Sequence, residues 1–229
     1  MEIEMKALCQ EDQIPNLFKN KLGDFTKINT DSDDLLFKSD KYYSWGGEQL
    51  PKPKKIYRVR TEAEIAKFAK TADVSEKALQ IAKFFDSEGA VLTDQSTYEV
   101  YLTYKEHHIL PDGSQSNVEN EGLVSLAAAK TFDVMMKSAG FDVYFMKNKK
   151  SCSVYFTSDK NGQVLHCEIV KVNNLPVYLE VESIVNDETA TDAVRQETAD
   201  TIKEFYKELG IASFEPRNWK QLIEAQRQL

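Results

Sequence analysis

Glu2, Glu4 and Lys6 stand at alternate positions, separated by Ile3 and Met5. On a strand, successive side chains point to opposite faces, so both carboxylates and the ammonium share one face and the apolar pair takes the other. Two acids in that arrangement suit a hard divalent cation, and a neighbouring ammonium suits an anion. The same period-two spacing recurs along the chain. Arg58 and Arg60 in "YRVRTE" share a face, as do Thr103 and Lys105 in "LTYKEH", Lys147 and Lys149 in "FMKNKK", and Glu180 and Glu182 in "YLEVES". A surface strand facing water alternates in the same way, so no single pair decides.

The set as a whole points to a closed sheet with a charged interior. Like charges ~4 Å apart repel by about 4 kcal/mol at an effective dielectric of ~20, so such an interior calls for an anion against its cations and a metal against its carboxylates. A polyphosphate chelated by Mg²⁺ or Mn²⁺ meets both needs.

The elements that must carry these residues follow from pattern. "FTKIN", "DLLFKSDKYYSW", "KKIYRVRTE", "STYEVYLTYKEHH", "FDVYFMKNKK", "SCSVYFTSD", "QVLHCEIVKVN" and "PVYLEVESIV" are rich in aromatic and β-branched residues and read as strands. "DKNGQ" reads as a turn. "CQEDQIPNLFKNKLGDF" has the spacing of a short helix ending near Gly23, with Ile14, Leu17, Phe18 and Leu22 on one side. "GLVSLAAAKTFDVMMKSAGF" predicts a helix stopped at Gly140, its apolar stripe facing the core. "ETATDAVRQETADTIKEFYKELG" and "PRNWKQLIEAQRQL" predict two closing helices. A lysine- and alanine-rich stretch, roughly Thr61 to Gly89, has helical period and reads as an insertion among strands. Strands with helices inserted, rather than alternating with them, define an α+β chain. No boundary divides the 229 residues, so one domain over 1–229 is expected.

Composition excludes several classes. Hydrophobic content of 41% and charged content of 29% fit a globular protein. A net charge of -8 argues against nucleic acid as partner. There is neither a membrane-length apolar run nor a basic-then-apolar leader, and the three cysteines lack metal spacing; a reduced cytoplasmic setting without membrane contact is expected.

"EIEMK" resembles the E-x-E-x-K signature of the CYTH domain, the triphosphate tunnel metalloenzymes, which include class IV adenylyl cyclases, thiamine triphosphatases and inorganic triphosphatases. The resemblance continues in order: "SDKYYS" is similar to the D-x-Y-Y/F stretch, "YRVRTE" to the R-x-R strand, "LTYK" to L-T-x-K, "VENEGLVS" to the middle acidic motif, "MKNKKSCSVYF" to K-x-R, and "VNNLPVYLEVES" to the late acidic strand. It implies an antiparallel barrel of about eight strands forming a tunnel, with helices packed outside. Glu2, Glu4, Glu180 and Glu182 would hold one or two Mg²⁺ or Mn²⁺ ions. Lys6, Arg58, Arg60, Lys105, Lys147 and Lys149 would grip the triphosphate, and Glu4, Lys6 and Lys105 would be catalytic. The implied activity is a metal-dependent triphosphatase acting on a nucleoside, organic or inorganic triphosphate. A class IV-type cyclase making cAMP from ATP is the close alternative, and a non-catalytic polyphosphate binder the second. A homodimer is an open assembly state.

Departures from the family pattern are Lys149 in place of arginine, Asn117 in place of arginine, Pro176 in place of glycine, and Val170 where an aspartate is usual. Glu168 lies two residues before Val170 on the same face and is the alternative occupant. Tyr42, Tyr43 and Trp45 could stack on a base or pack in the core. His107 and His108 read as solvated strand-end residues, and His166 beside Cys167 has no zinc motif to support it.

Overall fold

A computed structural model describes residues 2–28, 34–45, 54–68, 72–87, 98–109, 115–186 and 191–227. The strands are β1 (Glu2–Leu8), β2 (Lys21–Leu22), β3 (Phe25–Ile28), β4 (Asp34–Trp45), β5 (Lys54–Lys67), β6 (Glu99–Ile109), β7 (Gln115–Val124), β8 (Phe141–Ser158), β9 (Val164–Val172) and β10 (Val177–Ile184). All pairings are antiparallel. The sheet runs β8-β4-β5-β6-β7-β1-β10-β9, and β9 pairs back onto β8, so eight strands curl into a barrel. β2 and β3 extend it beside the end of β8. Among the described residues four helices, α1 (Val74–Asp86), α2 (Leu126–Ser138), α3 (Asp192–Glu208) and α4 (Trp219–Gln226), accompany it. This is the α+β class expected from the strand patterns, closed into the eight-stranded barrel that the motif resemblance implies. Among the described residues no helix is long and apolar enough to cross a membrane.

The opening alternation is resolved by what covers each face of β1. Ile3, Met5 and Ala7 are buried in the main apolar cluster with Ile202, Phe205 and Tyr206 of α3. Those α3 residues recur at helical spacing, giving one apolar stripe. Thr191 caps the N-terminus by accepting from the Val194 amide, and Gly210 follows the C-terminus at φ +75°. The Tyr206 hydroxyl donates to the Met5 and Leu179 carbonyls at 2.9 and 2.7 Å, tying α3 to β1 and β10. With the apolar side of β1 fixed outward under α3, Glu2, Glu4 and Lys6 must face the barrel interior.

Several elements differ from the sequence reading. Thr61–Lys67 prolongs β5 instead of starting the 61–89 helix, because this stretch hydrogen-bonds β4 on one side and its first residues pair with β6 on the other. The α1 helix occupies Val74–Asp86, capped by Asp73, and packs Ile81, Phe84 and Phe85 into the main cluster outside the barrel. The helix expected before Gly23 is a 3-10 turn, Ile14–Phe18; Leu22 lies in β2, and Gly23 at φ +54° makes the β2–β3 hairpin. "FDVYFMKNKK" and "SCSVYFTSD" form one 18-residue strand, β8. The α2 stripe is not core: only Ala129 is buried, while Val134 and Met135 are each 62% exposed. This helix lies on the barrel's outer surface and is held by Tyr43, whose ring meets Phe132 and whose hydroxyl donates to Asp133 at 2.6 Å. The "DKNGQ" turn forms as expected, with Gly162 at φ +71°.

Candidate active site

Nine of the ten sequence-selected charges line one cavity of about 520 Å³ inside the barrel: Glu2, Glu4, Arg58, Arg60, Lys105, Lys147, Lys149, Glu180 and Glu182. Lys6 is the exception. Its ammonium donates to the Arg217 carbonyl at 2.7 Å and sits 4.5 Å from the centroid of Trp219, which lies at the start of α4. The α4 helix is fixed by an Asn218–Gln221 capping box and by Leu222 and Ile223, which pack against Val170, Val172, Leu175 and Tyr178. Val170 therefore belongs to an apolar end of the barrel, and the acid on that strand is Glu168, which lines the cavity.

Two carboxylate groups with different surroundings emerge. Glu2, Glu4 and Glu182 bring ligand oxygens within 4.8 Å of one another. Antiparallel pairing sets Glu4 opposite Glu182 across β1 and β10. Glu180 is directed elsewhere: it accepts from Lys149 at 2.7 Å and from the Trp219 indole at 2.8 Å. Glu168 pairs with Lys149 and, at 3.0 Å, with Lys38. Glu180 is accordingly held down to about 2, burial being outweighed by Lys149 and Lys147, and Glu168 is also held well below its ordinary value. Glu2 and Glu4 behave oppositely. Glu4 is pushed up to about 7, first by burial and then by Glu180 and Glu2, against Lys105 and Lys6. Glu2 rises to about 6 through burial, Glu182 and Glu119, against Lys105. Crowded carboxylate oxygens with under-compensated negative charge fit a hard divalent cation such as Mg²⁺ or Mn²⁺.

The cations are not the self-repelling wall expected from sequence. Asp40, fully buried on β4, accepts from Arg60 at 2.8 and 3.2 Å, lies 3.2 Å from Lys147 and 4.0 Å from an Arg58 nitrogen. Arg58 also donates to Glu119, Glu121 and Thr103 at 2.7–3.2 Å. Lys105 lies 3.1 Å from Glu119 and 3.4 Å from Glu2. The interior is a lattice of ion pairs that pre-orients the arginine forks and the lysines. Lys38 and Asp40 alternate on β4, and Glu119 and Glu121 on β7, a signal of the same kind as the selected pairs, but their partners lie on other strands far apart in sequence.

His166 contacts the trio through Glu182. Its Nδ1 lies 2.7 Å from Glu182 and its Nε2 lies 2.9 Å from the Ser153 hydroxyl, while its ring stacks on Tyr155 at 4.7 Å. His107, His108 and Asn117 lie in paired strands, but their side chains, like that of Trp45, fall outside the described residues.

These shifts set a pH dependence. Glu2 and Glu4 titrate higher folded than their ordinary 4.5, so between roughly pH 4.5 and 7 the folded chain binds more protons than the unfolded one. Stability of the metal-free protein should therefore fall as pH rises through that window, with His166, raised by Glu182 despite burial, adding in the same sense. Glu180, Glu168 and Asp40 act oppositely, and only as pH drops below about 4.5. The melting temperature should be higher at about pH 5.5 than at about pH 8, and millimolar Mg²⁺ or Mn²⁺ should shrink the difference. A metal-independent melting temperature across this range would contradict the trio as a cation site.

Solved structures share this architecture. The PH1819 protein from Pyrococcus horikoshii OT3 matches over 99% of both chains with a TM-score of 0.64 and 17% identity. A candidate adenylate cyclase from Vibrio parahaemolyticus matches over 97% of both chains, with a TM-score of 0.56 and 14% identity. A candidate adenylyl cyclase from Hippeastrum, described as having a dominant triphosphatase activity, matches over 99% of this chain and 96% of its own, with a TM-score of 0.56 and 11% identity. No protein-family model and no curated protein matches the chain. The chain shares the fold of these proteins, an antiparallel barrel of the kind that its motif resemblance implies.

Proposed function

We propose that this protein is a divalent-metal-dependent enzyme that hydrolyses a triphosphate inside the barrel. The observation that carries the reading is the pairing, within one cavity, of the Glu2–Glu4–Glu182 oxygen cluster with Arg58, Arg60, Lys105, Lys147 and Lys149. The trio would hold Mg²⁺ or Mn²⁺, which when bound neutralises phosphate charge and polarises the reacting phosphorus. The arginines offer forked contacts to phosphate oxygens and the lysines act as point charges. Asp40, Glu119 and Glu168 keep those groups in place before the ligand arrives, so little reorganisation is needed as charge develops. Lys105, paired with Glu2 of the trio and with Glu119 beside Arg58, stands between the carboxylates and the arginines and would supply positive charge to a phosphate held there.

Chemistry then depends on what is positioned to attack. Water attacking the terminal phosphorus breaks its bridging P–O bond and releases orthophosphate. A ribose 3′-hydroxyl attacking the α-phosphorus would instead release pyrophosphate and a cyclic nucleotide. Hydrolysis asks less of substrate positioning, and the triphosphatase activity ascribed to the Hippeastrum neighbour accords with it. The test is phosphorus NMR of ATP, tripolyphosphate and thiamine triphosphate incubated with the protein and Mg²⁺ or Mn²⁺. Orthophosphate appearing only with metal supports hydrolysis. Pyrophosphate with cAMP would reassign the site to cyclisation, and unchanged substrates would leave a binding protein.

A further inference from the structure

One end of the cavity carries a cluster of aromatic rings, and a break in strand register builds it. β4 and β8 pair residue for residue from Leu36–Ser151 to Tyr42–Phe145, and then Tyr43 pairs with Val143. Tyr144 is the extra residue of a bulge, a device that bends a strand and re-aims a side chain. Regular alternation would have sent Tyr144 and Phe145 to opposite faces. Instead both face Tyr42, with ring centroids 6.5 and 5.4 Å from it and 6.4 Å from each other. All three rings line the cavity and none is fully buried. Lys147 stands 5.9 Å from the Tyr42 centroid and Lys220 4.9 Å from that of Tyr144, so cations flank the rings.

A second observation points to a ligand. Ser44 lines the same cavity, is 1% exposed, and its hydroxyl has no hydrogen-bond partner among the described residues. A buried hydroxyl left unpaired is costly, and a polar edge brought into the cavity would satisfy it.

The polarity of the site follows from the strands. β8 presents Phe145, Lys147 and Lys149 in that order, and β10, which runs parallel to it through β9, presents Tyr178, Glu180 and Glu182. The rings therefore lie at the α4 end and the carboxylate trio at the other. Successive inward residues on a strand are about 7 Å apart, so the step from Lys147 to Lys149 is about the length of a triphosphate chain.

We propose that the Tyr42–Tyr144–Phe145 cradle seats the flat ring of an aromatic base, so that the preferred substrate is a base-bearing triphosphate rather than an inorganic chain. This rests on the phosphate-tunnel reading above. The ring stacks at the bulge, Ser44 hydrogen-bonds its edge, and the phosphates pass Lys147 and Lys149 with the terminal group toward Glu2, Glu4 and Glu182.

The test compares ATP with tripolyphosphate, in turnover with Mg²⁺ or Mn²⁺ and in calorimetric binding without metal. Tyr144 is the residue to change, because Phe145 also packs on the apolar end under α4. The wild type should prefer ATP, and Tyr144→Ala should weaken ATP about tenfold, the scale of one base–aromatic stack, while shifting tripolyphosphate less than twofold. Tyr144→Phe should restore ATP, and Ser44→Ala should weaken ATP alone by a smaller factor. Equal losses for both ligands in Tyr144→Ala, or a wild-type preference for tripolyphosphate, would overturn the cradle while leaving the phosphate site standing. Failure of the wild type to bind either ligand would sink the phosphate reading itself, and the cradle with it.

Discussion

Glu4→Gln should lower metal-dependent turnover by about 10²-fold or more, because it removes one of three oxygen ligands from the cation site while keeping its shape. Glu4 is lifted further than its neighbour Glu2. Burial and the charges of Glu180 and Glu2 lift it to about 7, so its carboxylate is held against repulsion. Neutralising it relieves that repulsion. The variant should fold at least as well as the wild type near neutral pH, and its stability should depend less on pH between about 5.5 and 8. Tripolyphosphate binding without metal should persist or tighten, since one negative charge has left the cavity. Loss of activity together with loss of folding would give Glu4 a structural role. Unchanged activity would place the metal chemistry elsewhere.

Asp40→Ala should give the largest loss of stability of any single change in the tunnel. The carboxylate is fully buried, paired at once with Arg60 and Lys147, near Arg58, and also accepts from the Tyr42 hydroxyl at 3.1 Å. Burial would raise it, but those three cations hold it well below the ordinary carboxylate range. Removing one side of a buried pair leaves uncompensated charge, at about 3–5 kcal/mol. For a chain of this size that corresponds to a fall in melting temperature of roughly 6–20 °C. A phosphate group can take the place of the missing carboxylate. Saturating tripolyphosphate should therefore raise the melting temperature of Asp40→Ala more than that of the wild type. An equal rise in both proteins would show that Asp40 and the ligand do not share these cations.

The charged face of the tunnel was legible because period two is unambiguous where polar and apolar residues strictly alternate. Glu2, Glu4 and Arg58 point inward for that reason, whereas Lys149, between Asn148 and Lys150, carries no such mark. What alternation could not give was the partner of each charge. The trio excludes Glu180 because Lys149 and Trp219 hold that carboxylate, and Trp219 stands 39 residues further along the chain. Lys6 has the right strand and the right face, yet the Arg217 carbonyl and the Trp219 ring cover it, contacts spanning more than 200 residues. Asp40 lay within a recognised motif, but its role depends on β5 and β8 converging on it. Thr61–Lys67 carries helix-favouring alanine and lysine, and hydrogen bonds to neighbouring strands override that local preference. Tyr144 faces inward only because of a bulge, which leaves no mark in the alternation.

Thermal unfolding with tripolyphosphate, followed over time, tests most directly the claim that this lattice of charges exists to hold and consume a polyphosphate. Without metal, ligand at ~100 times its dissociation constant should stabilise the protein by about 2.7 kcal/mol, and added salt should weaken that protection by screening. Once Mg²⁺ or Mn²⁺ is added the protection should decay as the ligand is hydrolysed, and it should not decay in Glu4→Gln. Protection that persists with metal for every triphosphate tried would contradict catalysis, and absence of protection by any polyphosphate would contradict the tunnel as a phosphate site.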